Sequence, residues 1–134
     1  MADTDSLSDL DIVARTLDGE AGNQGYIGLA AVGSVILTRV KLAWQGETTA
    51  RGVCLHHEQF SCWLPGPDRD RIMAPDYVVY DLENSVAQMV LDGSLPDSVN
   101  GADSYIVTGT PCYWAENLTP VAVVGKQSFY ITRN

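Results

Sequence analysis

The sequence predicts an α+β fold, mainly helical, in a single domain over residues 1–134 with a small antiparallel sheet towards the C-terminus. Three observations carry this. Apolar residues recur at helical spacing through most of the chain before Gly93. From Leu95 onward β-branched runs and alternating residues replace that pattern. No internal repeat or low-complexity linker divides the chain, and 134 residues with a 46% hydrophobic share suffice for one core.

Ser8 followed by Asp11 reads as a capping box, and Asp9 and Asp11 suit the positive end of a helix dipole. Leu7, Leu10, Ala14 and Leu17 continue at helical spacing until Gly19 and Gly22, so the first helix should end near Ala21. Asn23 is the expected cap of a second helix, Gly25 to Ala43, which is apolar nearly all round and therefore buried. Gly28, Ala31 and Gly33 leave room on it for another element. Residues 45–64 read as irregular or extended, and Pro65-Gly66-Pro67-Asp68 with Arg69-Asp70-Arg71 as a solvated turn. A third helix is expected from near Pro75 to before Gly93, burying Val78, Val79, Leu82, Val86, Met89 and Val90. Strands are expected at 104–108, 121–124 and 127–131, separated by turns at 109–111 and at Gly125.

The balance of charge excludes several classes of function. Seventeen Asp and Glu stand against eight Lys and Arg, a formal charge of −9, so no basic stripe exists for nucleic acid and no polybasic patch for an anionic membrane. No apolar run reaches the roughly 20 residues that a membrane span needs. The acidic start, Met1-Ala-Asp-Thr-Asp-Ser6, is unlike a secretory signal, so the expectation is synthesis in the cytoplasm without a membrane anchor. Cys54, Cys62 and Cys112 make an odd count, which fits a reduced history; pairing of Cys54 with Cys62 stays open.

Glu20 is the first candidate for chemistry. It follows Val13 by one heptad and Leu17 by three residues, so it points with the apolar side of its helix. Partial desolvation favours the protonated form of a carboxyl group, which a general acid needs. Spacing alone favours the plainer reading, a solvated glutamate at a frayed helix end. Gln59, Phe60 and Ser61 beside Trp63 suit sugar recognition, through amide and hydroxyl groups and stacking aromatics, but they also suit an ordinary turn. Tyr105, Tyr113, Trp114, Phe129 and Tyr130 either floor a cleft or cover the sheet. His56-His57 with Cys54 and Cys62 matches no standard zinc spacing, so no metal or other cofactor is expected. No cysteine opens a helix after a glycine-rich turn, which argues against a Cys–His peptidase.

Four stretches taken in order resemble one family. They are Ala14-Arg15 with Gly19-Glu20-Ala21; Gly25-Tyr-Ile-Gly28 running into 31–40; Gly52-Val53 followed by Gln59-Phe60-Ser61; and a C-terminal block of Ala102, Tyr105, Pro111, Trp114, Ala115, Val124-Gly125 and Phe129-Tyr130. Together they are similar to the SleB-type cell wall hydrolases, which include spore cortex-lytic enzymes and related phage and bacterial proteins. The resemblance implies a lysozyme-like fold, with Glu20 as the one catalytic acid. It implies peptidoglycan as substrate, cut between N-acetylmuramic acid and N-acetylglucosamine by lytic transglycosylation. It implies substrate contacts from Gln59, Phe60, Ser61, Tyr105, Trp114, Gln127 and Tyr130. The family usually carries histidines where this chain has Ser104 and Gln127, which would have to act as neutral hydrogen-bonding groups. The reading is a monomeric endolysin-like enzyme that reaches the wall after release. Its rivals are a water-using muramidase of the same fold, a non-catalytic wall-binding or virion domain, and a peptidase or amidase.

Overall fold

A computed structural model describes residues 4–133; Met1 to Asp3, half of the acidic start, and Asn134 lie outside the described residues. Helix α1 is Asp9–Ala21, and Ser8 caps it as expected, its hydroxyl accepting from the Asp11 N–H at 3.1 Å. Helix α2, Gly25–Lys41, is buried without interruption from Gly28 to Leu37 and forms the centre of the molecule. Its cap differs from expectation. Gln24, not Asn23, is the capping residue and makes no side-chain bond there. The small residues on α2 act on opposite sides. A methyl group at Gly33 would lie 2.9 Å from Leu95 and 3.2 Å from Val90, while Ala31 packs with Val35, Val99, Ala102 and Phe129 under the sheet.

Two short helices occupy stretches expected to be irregular. Helix α3, Ala50–Leu55, is capped by Thr49, which accepts from the Gly52 N–H at 3.0 Å. Helix α4, Pro67–Ile72, has Pro67 in its first turn, a position where the missing N–H costs nothing. Each is six residues long, too short for an apolar period to emerge. The last helix is also corrected. Helix α5 is Asp81–Asp92 and begins later than Pro75. The segment before it contains Val78-Val79-Tyr80, β-branched and aromatic residues that favour extended backbone. The buried stripe of α5 is Glu83, Val86, Ala87 and Val90. Val78 is 67% exposed and Leu82 41% exposed, so neither belongs to it.

Strands β1 (Ser104–Val107), β2 (Ala122–Val124) and β3 (Gln127–Tyr130) form one antiparallel sheet in the order β1-β3-β2. The register pairs Tyr105 with Phe129 and Val107 with Gln127. Asp103 pins the end of this sheet. Its fully buried carboxylate accepts from Ser104 Oγ at 2.9 Å, Thr132 Oγ1 at 2.6 Å and Arg133 Nη1 at 2.9 Å. Burial alone would raise its pKa, but these donors outweigh burial and hold it below the ordinary value. No described helix is long and apolar enough to cross a membrane.

Candidate active site

The last turn of α1 presents Glu20, half-buried, to a turn of 3-10 helix at Ser61–Trp63. Positions 16, 19 and 20 share one face of α1, and all three meet this turn. Trp63 Nε1 donates to Thr16 Oγ1 at 2.9 Å. Gly19 lies so close that a methyl group there would sit 2.6 Å from Cys62 Cβ. Glu20 Oε2 accepts from the Cys62 N–H at 3.2 Å and from Ser61 Oγ at 3.4 Å. The absence of a side chain at Gly19 is therefore what lets the turn reach the Glu20 carboxylate.

The sheet supplies the third donor. Tyr105 on β1 donates its hydroxyl to Glu20 Oε1 at 2.5 Å, while its ring packs 5.3 Å from that of Phe129. Burial, and then the charge of Glu20, hold the Tyr105 phenol well above its usual titration range, so it stays a neutral donor. The same two causes push the Cys62 thiol far up, and burial pushes Cys54 up to about 12. Neither buried thiol is a ready nucleophile.

Glu20 and Gly19 both line two cavities. One, of about 380 Å³, is walled by Asp18, Gly22, Asn23 and Arg71. There Asp18 is already engaged, accepting from Arg71 Nη1 at 2.8 Å and from the Tyr77 hydroxyl. The other, of about 350 Å³, is walled by Arg39, Glu58, Gln59, Ser61, Tyr105, Ile106, Val107 and Gln127. Through Arg39, Glu58, Gln59 and Tyr105 it continues into a third cavity of about 540 Å³ that also holds Trp44, Gln45, Tyr113 and Trp114. Loop residues on this wall hold unusual backbone. Gln45 and Glu58 have φ of 51° and 62°, although neither is glycine; Ala43 and Asn100, which line none of these cavities, have φ of 49° and 55°. Such strain clusters at functional sites because the surrounding structure enforces it.

Of the residues expected from sequence to touch substrate, Gln59, Ser61, Tyr105 and Gln127 surround Glu20, and Trp114 lines the adjoining cavity. Gln127 is 6% exposed, and its Oε1 is buried without a hydrogen-bond partner. Two others stand elsewhere. Phe60 is 2% exposed, and its ring lies under the Arg39 guanidinium at 5.3 Å, so it serves the core. Tyr130 lines none of these three cavities and meets Trp114 edge-on at 5.4 Å. His56 follows α3 and bonds Glu47 Oε2 through Nδ1 at 2.7 Å, while His57 is exposed.

Sequence reasoning missed Arg39 and Trp44 as cavity walls. Arg39 lies in the last turn of α2, where a cation suits the helix dipole. The signal it carried is its phase: it follows Val35 by one turn and so lies on the buried stripe of α2.

The cell wall hydrolase family model matches residues 23–130. The chain belongs to that family. In this cell wall hydrolase Glu20 precedes the matched span, while Gln59, Ser61, Tyr105, Trp114 and Gln127 fall within it. Two solved structures share the fold. The catalytic domain of the Bacillus cereus SleB protein is 22% identical with a TM-score of 0.73, covering 91% of this chain and 88% of that one. The catalytic domain of the germination-specific lytic transglycosylase SleB from Bacillus anthracis is 21% identical with a TM-score of 0.72, covering 93% of this chain and 97% of that one. No curated protein matches the cell wall hydrolase in sequence.

Proposed function

We propose that this cell wall hydrolase cuts the glycan strands of peptidoglycan as a lytic transglycosylase, with Glu20 as both acid and base. The observation that carries the reading is a half-buried carboxyl group that lines two cavities and has three donors placed to stabilise the carboxylate formed when its proton leaves, with Asp18 already paired with Arg71. Protonated Glu20 gives its proton to the glycosidic oxygen as the bond from that oxygen to the anomeric carbon breaks. The resulting carboxylate takes the proton of the sugar's own C6 hydroxyl, whose oxygen bonds to the anomeric carbon and closes a 1,6-anhydro ring. Glu20 ends protonated, as it began. Ser61 can accept from the acid and donate to the carboxylate, because a hydroxyl does both. Gln59, Tyr105, Trp114 and Gln127 are the proposed substrate contacts.

Glu20→Gln should abolish loss of turbidity from purified murein while the protein still sediments with it. Lysis at the wild-type rate would remove Glu20 from the role. One observation supports a second reading, a water-using muramidase. Glu58 lines the same cavity with strained backbone and an exposed carboxylate, as a second acid would. Mass spectrometry of the released fragments separates the two. Anhydro ends that persist in Glu58→Gln support transglycosylation; ordinary reducing ends that vanish in Glu58→Gln support the muramidase. The endolysin setting is tested by making the chain in the bacterial cytoplasm, where lysis should wait until the inner membrane is permeabilised.

A further inference from the structure

Arg39 poses a physical problem that the mechanism above leaves unanswered. It is 6% exposed, rising from the apolar face of α2. Its Nε donates to the backbone carbonyl of Asp103 at 2.7 Å, and its guanidinium lies 5.3 Å from the rings of both Trp44 and Phe60. Its Nη1 is buried without a partner. Among the described residues no carboxylate forms a salt bridge with it; the Asp103 side chain is taken by Arg133, Thr132 and Ser104. A buried charge without a counter-charge is costly, and two aromatic faces compensate it only in part. Burial accordingly pulls its pKa down, against the pull of Tyr105 and Asp103.

Arg39 also forms part of the wall of both cavities on one side of Glu20. The cavity on the other side has a cation too, Arg71, but Asp18 neutralises it. The groove is thus electrostatically lopsided. A ligand group with strong acceptor oxygens gains most on the Arg39 side, where a fixed guanidinium has hydrogen-bonding capacity to spare. In a glycan of alternating N-acetylated sugars, the acetamido group is common to both units. Only the muramic unit adds a lactyl ether with its carboxyl-derived oxygens.

We propose that Arg39 recognises the lactyl group of N-acetylmuramic acid, which places the muramic unit in the cavities lined by Gln59, Tyr105 and Trp114 and its neighbour on the Asp18–Arg71 side. This rests on the glycan-cutting reading and adds to it the direction in which the strand lies. Arg39 is then the residue that determines specificity between the two sugars.

The test measures binding, so that it does not depend on turnover. Glu20→Gln protein is titrated with N-acetylmuramic acid and with N-acetylglucosamine, which differ only in the lactyl group, while the indole N–H signals of Trp44, Trp63 and Trp114 are followed by NMR. The muramic sugar should bind about tenfold more tightly and move the Trp44 and Trp114 signals. Arg39→Gln on the same background should bring the two affinities within about twofold, and Arg39→Lys should restore part of the difference. Equal affinities before Arg39 is changed would overturn the proposal, and that comparison needs no variant of Arg39 to fold. So would a preference that survives Arg39→Gln in protein whose tryptophan signals remain dispersed. A chain that discriminates the sugars but cuts no murein would defeat the catalytic reading alone, and one that leaves anhydro ends without discriminating would defeat this proposal alone.

Discussion

Burial and the neighbouring Glu20 keep the Tyr105 phenol protonated, so at neutral pH it donates to Glu20 Oε1 continuously. Tyr105→Phe keeps the ring on Phe129 and removes only that donor. A hydrogen bond to a charged group contributes about 1.5–3 kcal/mol, so kcat should fall roughly 10- to 100-fold if the reaction depends on that bond, and the melting temperature should fall with it. Steady-state kinetics on solubilised glycan strands checks this, and an unchanged kcat would take Tyr105 out of the reaction. Helical phase turned Glu20 towards the apolar side, but spacing alone favoured a solvated glutamate, and its half-buried placement comes from the turn and the sheet packed against it. Spacing left Tyr105 and Phe60 on the same footing, as aromatics near a motif. Only the register of β1 against β3 and the packing over α2 divide them, sending one to the cleft and the other to the core. That division depends on contacts distant in sequence, which local pattern does not encode.

Between elements, the decisive contact is the one that Gly19 permits between α1 and the 61–63 turn. Gly19→Ala would press a methyl group into Cys62 Cβ and displace the backbone N–H that serves Glu20. Overpacking of this kind costs typically 1–3 kcal/mol, and activity should fall further than stability, because the displaced group is at the site. Parallel chemical denaturation and lysis assays separate the two effects. Helix α1 was readable from its cap and apolar period, and α2 from its apolar run, though not from its cap. Helices α3 and α4 were not, because one cap and one proline over six residues give too little pattern. The onset of α5 was misjudged because Pro75 is a fair helix starter in isolation, whereas Tyr77 turns aside to reach Asp18.

For the molecule as a whole, two buried acids set opposite responses to pH. Asp103 is held below its ordinary value, so its contribution is present above about pH 3.8 and is lost as pH falls through its folded pKa. Glu83, buried on α5, is raised by burial and then by Asp18, so its contribution is present below about pH 4.5 and is lost as pH rises through its folded pKa. Above about pH 4.5 the Glu83 contribution should therefore decline while that of Asp103 is retained. Glu83→Gln should remove much of that decline and raise the denaturation midpoint at pH 7, whereas Asp103→Asn should lower it at every pH above 4. Urea titrations from pH 3 to pH 8 test both, and a midpoint at pH 7 that Glu83→Gln leaves unmoved would refute the first. The thiols offer an independent check on the packing. An aromatic disulfide reagent should label Cys112 in the native protein but reach Cys54 and Cys62 only on unfolding.

Because Glu20 lines two cavities, a strand can lie across it with sugars in both. An enzyme so built has no need of a chain terminus and attacks wherever a bond comes to rest over the acid. Long glycans should accordingly be halved many times before short ones accumulate. Size-exclusion profiles taken early in a digest should show the mean strand length collapsing while disaccharide-sized material is still scarce; stepwise release of one small product from the outset would mean that one arm of the groove is closed to sugar.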